Sequence, residues 1–418
     1  MNHKMKNKDI FKIRYVEHQI FEQIRANDLL NNGFLSKGYK HDIYAQIKSN
    51  PLKSPYLVAV LFVRAVYKSL YANCHAYQVK RKIKSKPYKA LHLVPLYLVA
   101  KILQVKNWAR YKVLLRFWRG KVDMPYFELV LTTRCTLRCE SCGNLMQYFS
   151  PKNNYTCTLE GIFGLLDKLF SVIDSVAHIK IIGGEPLLFK DIVKVVERLD
   201  SEPKVKSFGM VTNGTIKLKE NLLTALAKSK KFWLDISDYS TSPNLKIKLY
   251  QKEIFSSLEA YKIPYIIRWN DNPLSWWEPG KIYKRGRSKE KIIENYRACM
   301  MPCVSVMSNE SLPKSAIGGG GQNKNIKECS GESKIKNDTE SKGQIFICPV
   351  ASSLSRLKGL DEFSGDFISL DSELTKKKFW DFYAQDFFKA CDYCHDMSKG
   401  RTYIPMAIQT DETLELKA

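Results

Sequence analysis

The sequence lacks the long apolar runs of a membrane-spanning protein. No stretch reaches the roughly 20 apolar residues that a membrane-spanning helix needs, and residues 1–6 lead into a charged stretch rather than an apolar signal core. Acidic residues are also scarce, with 42 Asp and Glu against 67 Lys and Arg and a formal net charge of +25. The sequence therefore predicts a cytoplasmic protein in a reducing compartment, where its 11 cysteines stay free to bind metal.

The excess of positive charge belongs mainly to the N-terminal part of the chain. Residues 1–124 hold 25 Lys and Arg against 6 Asp and Glu, a difference of +19. Aromatic and basic residues alternate there in helix-like segments, which predicts a basic helical extension. Such a surface suits anionic lipid, RNA or an acidic partner. A membrane surface or an acidic partner is favoured over nucleic acid, because the segment contains no recognisable RNA-binding motif.

From residue 125 onward, strand-like and helix-like segments alternate. This βαβα order predicts a parallel sheet or barrel with right-handed crossovers. The alternation ends near residue 280, so we divide the chain into domains 1–124, 125–290 and 291–418. Residues 308–343 are rich in Ser, Lys, Asn and Gly and are predicted to form an inserted flexible loop. The strands are expected over residues 126–131, 177–182, 205–211, 232–236 and 264–269.

Three cysteines follow the first predicted strand in a C-x3-C-x2-C pattern: Cys135, Cys139 and Cys142. They provide one thiolate fewer than a closed zinc or iron–sulfur site requires. The spacing favours an iron–sulfur cluster, although a zinc site remains an alternative, because Cys391 and Cys394 could supply a second pair. A metal site with only three protein ligands leaves one position open for a small molecule.

A second motif, Gly183-Gly184-Glu185-Pro186, follows the second predicted strand. Two glycines at the end of a strand allow a ligand to approach the backbone closely. The backbone carbonyls and Glu185 then offer acceptors to an ammonium group. By itself the motif is typical of a βα turn, but one βα unit after the cysteine triplet it is a strong signal.

Together these motifs resemble the radical SAM (S-adenosylmethionine) enzymes over residues 125–290. The resemblance implies that Cys135, Cys139 and Cys142 hold a [4Fe–4S] cluster whose fourth iron is chelated by SAM. It implies that Gly183, Gly184 and Glu185 bind the amino group of SAM, and that residues ending the third and fourth strands contact the cofactor. Those residues are Thr212, Asn213, Asp235 and Ser237. Ser141 departs from the family pattern, which usually has an aromatic residue there.

The resemblance also implies the fold and the reaction. The fold would be α/β, a partial (βα)6 TIM-type barrel with its motifs at the C-terminal ends of the strands. An electron donor of the flavodoxin or ferredoxin type would reduce the cluster. SAM would then be cleaved to a 5′-deoxyadenosyl radical that abstracts hydrogen from a substrate. No catalytic side chain is assigned beyond the cluster.

A further group of cysteines lies in the C-terminal third of the chain. With residues 308–343 set aside, it resembles the SPASM or twitch extension of radical SAM enzymes, which holds auxiliary [4Fe–4S] clusters. Five thiols are too few for two complete clusters, so one twitch-like cluster is expected, with a structural zinc site as the alternative. Cys348, Cys391 and Cys394 are the firmest ligands, and Cys299 and Cys303 compete for the fourth place. Cys74, Cys157 and Cys329 are expected to be ordinary thiols.

The sequence therefore predicts a radical SAM enzyme that oxidatively modifies a peptide or protein side chain, or a sugar-like metabolite. An auxiliary cluster suits an oxidative outcome, because it can accept an electron from a substrate radical. Two alternatives remain open. One is an RNA-modifying radical SAM enzyme, supported only by the basic residues 1–124. The other is a non-catalytic module stabilised by zinc or an iron–sulfur cluster.

Overall fold

The structure is a computed structural model that describes residues 116, 119–268, 276–277, 280–299, 305–308, 343–370, 372–383, 385, 387–396 and 403–416. Most of the predicted basic extension 1–124 and nearly all of the predicted loop 308–343 lie outside these residues. Cys74, Cys303 and Cys329 also lie outside them. Within the described ranges, no helix is both long and apolar enough to span a membrane.

An eight-stranded sheet with the order β5-β4-β3-β2-β1-β7-β8-β9 organises the fold. The first five strands and β7 pair in parallel, whereas β8 and β9 are antiparallel. A separate antiparallel pair joins β6 and β10. The strands are β1 Asp123–Val130, β2 Ser175–Ile182, β3 Phe208–Thr212, β4 Phe232–Ser237, β5 Tyr265–Arg268, β6 Trp276–Trp277, β7 Ser305–Ser308, β8 Gln344–Phe346, β9 Phe367–Ser369 and β10 Tyr403–Ile404.

Helices connect the successive parallel strands, as the βα alternation predicts. Thr158 caps α1 (Leu159–Val172) by accepting a hydrogen bond from the amide of Gly161 at 3.1 Å. Glu160 lies in the first turn, where its negative charge interacts favourably with the helix dipole. The helices are α1 Leu159–Val172, α2 Ile192–Ser201, α3 Glu220–Lys228, α4 Gln251–Ala260, α5 Lys289–Ala298, α6 Pro349–Lys358 and α7 Lys376–Tyr383.

The structure confirms a parallel α/β sheet of the partial-barrel type and differs from the expectation in its details. The sixth parallel strand, β7, pairs with β1 rather than following β5. Three helices, α5, α6 and α7, lie beyond residue 280, where the sequence pattern showed no further alternation. Helix α5 is largely polar, with a sequence of KEKIIENYRA, so its apolar periodicity is weak. The proposed domain boundaries stay predictions.

The two faces of the parallel strands differ sharply in chemistry. One face packs against the helices through buried apolar side chains such as Leu129, Ile181 and Leu234. The opposite, inner face begins with a stack of aromatic rings in which His178 lies 5.7 Å from Tyr126 and 4.1 Å from Trp233. The two faces can differ in this way because successive side chains along a strand point to opposite faces of the sheet.

A charged layer follows the aromatic stack toward the C-terminal ends of the strands. Lys180 on β2 pairs with Asp235 on β4 at 2.7 Å, and Arg268 on β5 pairs with the same oxygen at 2.8 Å. Glu128 on β1 is buried and lies opposite Lys180 in register. The inner face is therefore apolar at one end, charged in the middle, and capped at the other end by the loops that carry the sequence motifs.

Candidate functional site

The loop after β1 brings Cys135, Cys139 and Cys142 to one cavity at the C-terminal ends of the strands. Burial is the main cause that raises the pKa of all three thiols, to about 12 for Cys139, and the neighbouring thiols raise the pKa of Cys135 and Cys139 further. Three adjacent thiols, of which Cys139 is buried and the other two are partly buried, are poor thiolates by themselves. A bound metal centre would supply the positive charge that offsets this cost.

The chemistry of the three thiols fits an iron–sulfur cluster. A cubane binds each thiolate at a different iron, so three cysteines leave its fourth iron open. In the part of the chain that the structure describes, no three His, Cys, Asp or Glu side chains converge closely enough to hold a single metal ion.

Gly183 and Gly184 allow the loop after β2 to pack directly against the loop after β1 that carries Cys135, Cys139 and Cys142, here called the cysteine loop. A Cβ atom on Gly183, whose φ is +149°, would lie 2.2 Å from the carbonyl oxygen of Thr132. A Cβ atom on Gly184 would lie 2.1 Å from the carbonyl oxygen of Arg134. Both contacts are with backbone, so no side-chain movement could relieve them. Only glycine permits this approach.

The side chain of Glu185 links the loop after β2 to the end of β3 rather than facing the cavity. It is fully buried. One carboxylate oxygen accepts hydrogen bonds from the Thr212 hydroxyl at 3.1 Å and the Asn213 amide at 2.9 Å, and the other accepts from the Leu187 amide at 3.1 Å. Burial raises the pKa of Glu185 to about 7, and these hydrogen bonds act in the opposite direction. The carboxylate thus orders the motif, while Gly183 and Gly184 line the cavity.

The predicted residues after β3 and β4 divide into two groups. Asn213 and Ser237 line the cavity, and the Asn213 side-chain amide donates to the Thr136 hydroxyl at 2.9 Å and to Cys135 Sγ at 3.6 Å. Thr212 is buried behind them against Glu185. Asp235 is held in the charged layer by Lys180 and Arg268. Asp235 is therefore placed below the cavity rather than in its wall.

Two features of the site escaped the sequence analysis. Tyr239 lines the cavity two residues after Ser237, and burial together with the nearby thiols of the triplet raises its pKa well above the ordinary value. Its position at the end of β4 is a signal that could have identified it. The second feature is the segment 405–414, of which Gln409 contacts Cys139. It lies 270 residues away in sequence, and no motif marks it.

Four cysteines gather at a second place, beside the N-terminus of α6. Burial is the largest cause of the raised pKa of Cys348, and Cys394, Cys391 and Cys299 raise it further. Burial is also the largest cause of the raised pKa of Cys391 and Cys394. Cys394 and Cys299 raise the pKa of Cys391 further, and Cys299 raises that of Cys394. Cys348 caps α6, where its sulfur accepts from the Ala351 amide at 3.4 Å, and a helix N-terminus favours a thiolate.

The surroundings of this second group supply positive charge and hold its ligands in place. Arg285 and Arg287 favour the charged form of Cys394, and Arg287 also donates to the carbonyl of Cys391 at 3.2 Å. Asp366 accepts from the backbone amides of the turn at Lys389–Asp392, which carries Cys391. Four thiols with two adjacent cations form a donor set that fits a second cluster. Cys157 lies apart from both groups and donates to a backbone carbonyl.

Comparisons with known proteins find a family match in the part of the chain that carries the cysteine triplet. Residues 129–258 match the family model of the Radical SAM superfamily. The chain is 36% identical over 95 residues to molybdenum cofactor biosynthesis protein 1 of Drosophila melanogaster, covering 22% of this chain and 16% of that protein. It is 32% identical over 110 residues to GTP 3′,8-cyclase of Clostridium acetobutylicum, covering 26% and 31%.

Among solved structures, the chain is similar to BtrN in complex with AdoMet and 2-DOIA, with a TM-score of 0.35 and 15% identity. That superposition covers 70% of this chain and 97% of BtrN. The chain spans less than a third of the length of the two curated relatives above. The matched segment contains the cysteine loop, the double glycine and the ends of β3 and β4. The match to the Radical SAM superfamily model, residues 129–258, therefore covers the segment that forms the candidate site.

Proposed function

We propose that the protein is a radical SAM enzyme with a second iron–sulfur cluster, which oxidatively modifies a peptide or protein side chain or a sugar-like metabolite. One observation carries the proposal. Cys135, Cys139 and Cys142 share a cavity with Gly183 and Gly184, so three thiols and an exposed stretch of backbone face the same space. The superfamily uses a [4Fe–4S] cluster and SAM, and this arrangement could hold both.

The bound cluster and SAM would together supply reductive cleavage of SAM and a 5′-deoxyadenosyl radical. The residues of the chain would hold the cluster and SAM in position. The three cysteines would hold the cluster, and Gly183 and Gly184 would admit the methionine part of SAM. Asn213 joins the end of β3 to the cysteine loop, and the buried carboxylate of Glu185 joins the end of β3 to the loop after β2.

The inner face of the sheet favours a polar substrate. The charged layer of Glu128, Lys180, Asp235 and Arg268 lies between the aromatic stack and the cysteine loop. Arg268 is the more accessible of the two cations that pair with Asp235, with 29% of its side chain exposed against 10% for Lys180. A substrate carrying hydroxyl, carboxylate or amide groups could replace water there, which suits both peptide and sugar-like candidates.

The second group of cysteines supports an oxidative outcome. Cys299, Cys348, Cys391 and Cys394 together provide the four thiolates of a complete [4Fe–4S] cluster. In this assignment Cys299 takes the place for which Cys303 competes, and Cys303 lies outside the described residues. A cluster here could accept the electron that remains on a substrate radical.

An acidic electron donor of the flavodoxin or ferredoxin type could reach the first cluster from the protein surface. A second cavity borders the outer side of the cysteine loop and is lined by Cys135, Arg134, Arg138 and Lys246. Arg134 is exposed, whereas Lys246 lies 3.6 Å from the carboxylate of Asp411 in the same cavity, so the positive charge rests mainly on the two arginines. Positive charge beside Cys135 would attract a negatively charged carrier.

The contacts of the basic segment 1–124 stay predictions, because residues 1–115 lie outside the described ranges. An anionic membrane surface or an acidic partner is the proposed contact. If the enzyme instead modifies RNA, it should bind RNA in a salt-sensitive manner, and deletion of residues 1–115 should abolish that binding.

Anaerobic reconstitution with iron and sulfide tests the proposal. We expect about seven to eight iron atoms per chain, and formation of 5′-deoxyadenosine from SAM under dithionite. Cys139→Ala should abolish cleavage, Cys391→Ala should retain the first cluster but impair turnover of substrate, and Cys157→Ala serves as the matched control with full iron content. Zinc in place of iron, or an iron-loaded protein that does not cleave SAM, would contradict the proposal.

Once cleavage is established, substrate classes can be compared directly. Peptides, amino sugars and GTP should each be supplied to the reconstituted protein. GTP is included because curated relatives named GTP 3′,8-cyclase match part of the chain. The substrate class is identified by the compound that increases 5′-deoxyadenosine formation and is itself converted.

A further inference from the structure

The C-terminal segment 405–414 lies along one side of the loop that carries Cys135, Cys139 and Cys142. Backbone hydrogen bonds connect the two, from the Glu140 amide to the Ile408 carbonyl at 2.8 Å and from the Thr410 amide to the Arg138 carbonyl at 2.9 Å. Ala407 is fully buried between them. The segment therefore belongs structurally to the loop that carries the triplet, although it is distant in sequence.

The same segment is held from a second side by the loop after β4. The Ser242 hydroxyl donates to the Ala407 carbonyl at 2.8 Å. Asn244 makes two hydrogen bonds with the backbone of Gln409, at 2.9 and 2.8 Å. Anchoring of the backbone on both sides places the Gln409 side chain at a fixed position beside the cysteines.

All three polar contacts of the Gln409 amide group determine its orientation. Its oxygen accepts from the Arg138 amide at 2.8 Å. Its nitrogen donates to the Ala407 carbonyl at 2.6 Å and to Cys139 Sγ at 3.2 Å. If the amide were turned over, its NH2 group would face the N–H of Arg138 and its oxygen would face the carbonyl of Ala407. Both contacts would be repulsive, so the NH2 group must be on the side of Cys139 Sγ.

We propose that Gln409 is a positioning residue whose amide donates a hydrogen bond to the Cys139 ligand and thereby raises the reduction potential of the first cluster. This inference rests on the proposed function of the cysteine triplet. Reduction adds negative charge to a cluster, and part of that charge lies on the ligand sulfurs. A donor aimed at a sulfur stabilises the reduced form more than the oxidised form, and such bonds are among the factors that set cluster potentials.

Replacement of Gln409 tests the inference through the potential rather than through turnover. Gln409→Leu removes the donor at nearly equal volume, and Gln409→Glu keeps the acceptor for Arg138 but places a negative oxygen near the sulfur. Thr410→Val serves as the control, because the Thr410 side chain bonds only to the carbonyls of Arg138 and Glu412. Each reconstituted protein is titrated with a reductant while electron paramagnetic resonance follows both clusters.

We expect the ratio of reduced to oxidised first cluster in Gln409→Leu to fall by about tenfold at a fixed potential, which corresponds to ~59 mV for one electron. Gln409→Glu should lower it further, and Thr410→Val should not change it. The second cluster provides an internal reference in each sample and should not shift.

The outcomes separate this inference from the proposed function. A wild-type protein that holds no cluster in the triplet would contradict the proposed function itself. A first cluster whose potential is the same in wild type and Gln409→Leu would overturn only the role of Gln409. Loss of the first cluster from both Gln409 variants while circular dichroism stays unchanged would also overturn it, because the segment would then be a structural support alone.

Discussion

Replacement of Gly184 by alanine should remove the metal site while leaving the protein folded. A Cβ atom there would lie 2.1 Å from the carbonyl oxygen of Arg134, 2.5 Å from its carbonyl carbon and 2.8 Å from the Cβ atom of Cys135. Two of these atoms are backbone, so the cysteine loop itself must move. Cys135 directly follows Arg134 and is itself one of the contacts, so it would be displaced together with the loop.

The loss in the free energy of unfolding follows from the contacts that this displacement disturbs. Overpacking costs about 1–3 kcal/mol, and two backbone hydrogen bonds, from Gly184 to Thr132 at 2.8 Å and from Glu185 to Arg134 at 2.9 Å, are weakened. Each bond contributes about 1 kcal/mol. The free energy of unfolding should therefore fall by about 2–4 kcal/mol, which is less than the ~5–15 kcal/mol that a folded domain typically has.

Two measurements on Gly184→Ala check this reasoning. Urea unfolding gives the loss of stability, and iron analysis after anaerobic reconstitution gives cluster content. Gly143→Ala is the matched control in the same loop, because a Cβ atom on Gly143 would meet no atom within 4 Å apart from its chain neighbours. If Gly184→Ala loads as much iron as Gly143→Ala and is equally stable, the proposed close packing of the two loops is wrong.

Three further substitutions test other parts of the site. Glu185→Gln places an amide NH2 among three donors, so it should lower the free energy of unfolding by about 1–3 kcal/mol and weaken SAM binding, as measured by calorimetry. Cys348→Ser should reduce iron content by about half, whereas Cys157→Ser should leave it unchanged. Asp366→Ala removes the acceptor for two backbone amides at 2.7 and 2.6 Å, one of them of Ala390, and should selectively deplete the second cluster.

Each expectation has a result that would contradict it. Equal SAM affinity of Glu185→Gln and wild type would show that the buried carboxylate does not order the SAM site. Unchanged iron content in Cys348→Ser would exclude it as a ligand. For Asp366→Ala, electron paramagnetic resonance must show loss of the second signal with the first retained, since loss of both would indicate general unfolding.

The sequence alone was sufficient for the fold class and for the order of motifs along the chain. Strands β2 and β4 lie close to their predicted ranges, because a buried strand leaves a strong local signal. The pairing of β7 with β1 could not be predicted in the same way. Pairing joins segments that are distant in sequence, and strand periodicity does not specify the partner.

The same division holds for the site. Local spacing determined Cys135, Cys139 and Cys142 as one group and Gly183-Gly184 as another, because each lies on a short loop at the end of one strand. Only the tertiary structure decided that Glu185 faces inward, that Asp235 belongs to the charged layer, and that Cys299 lies near Cys348. The choice between Cys299 and Cys303 as a ligand stays a prediction. The tertiary structure also placed Gln409 at Cys139. Those outcomes depend on which side chains and which distant segments compete for the same buried donors and acceptors, and that competition arises only once the chain is folded.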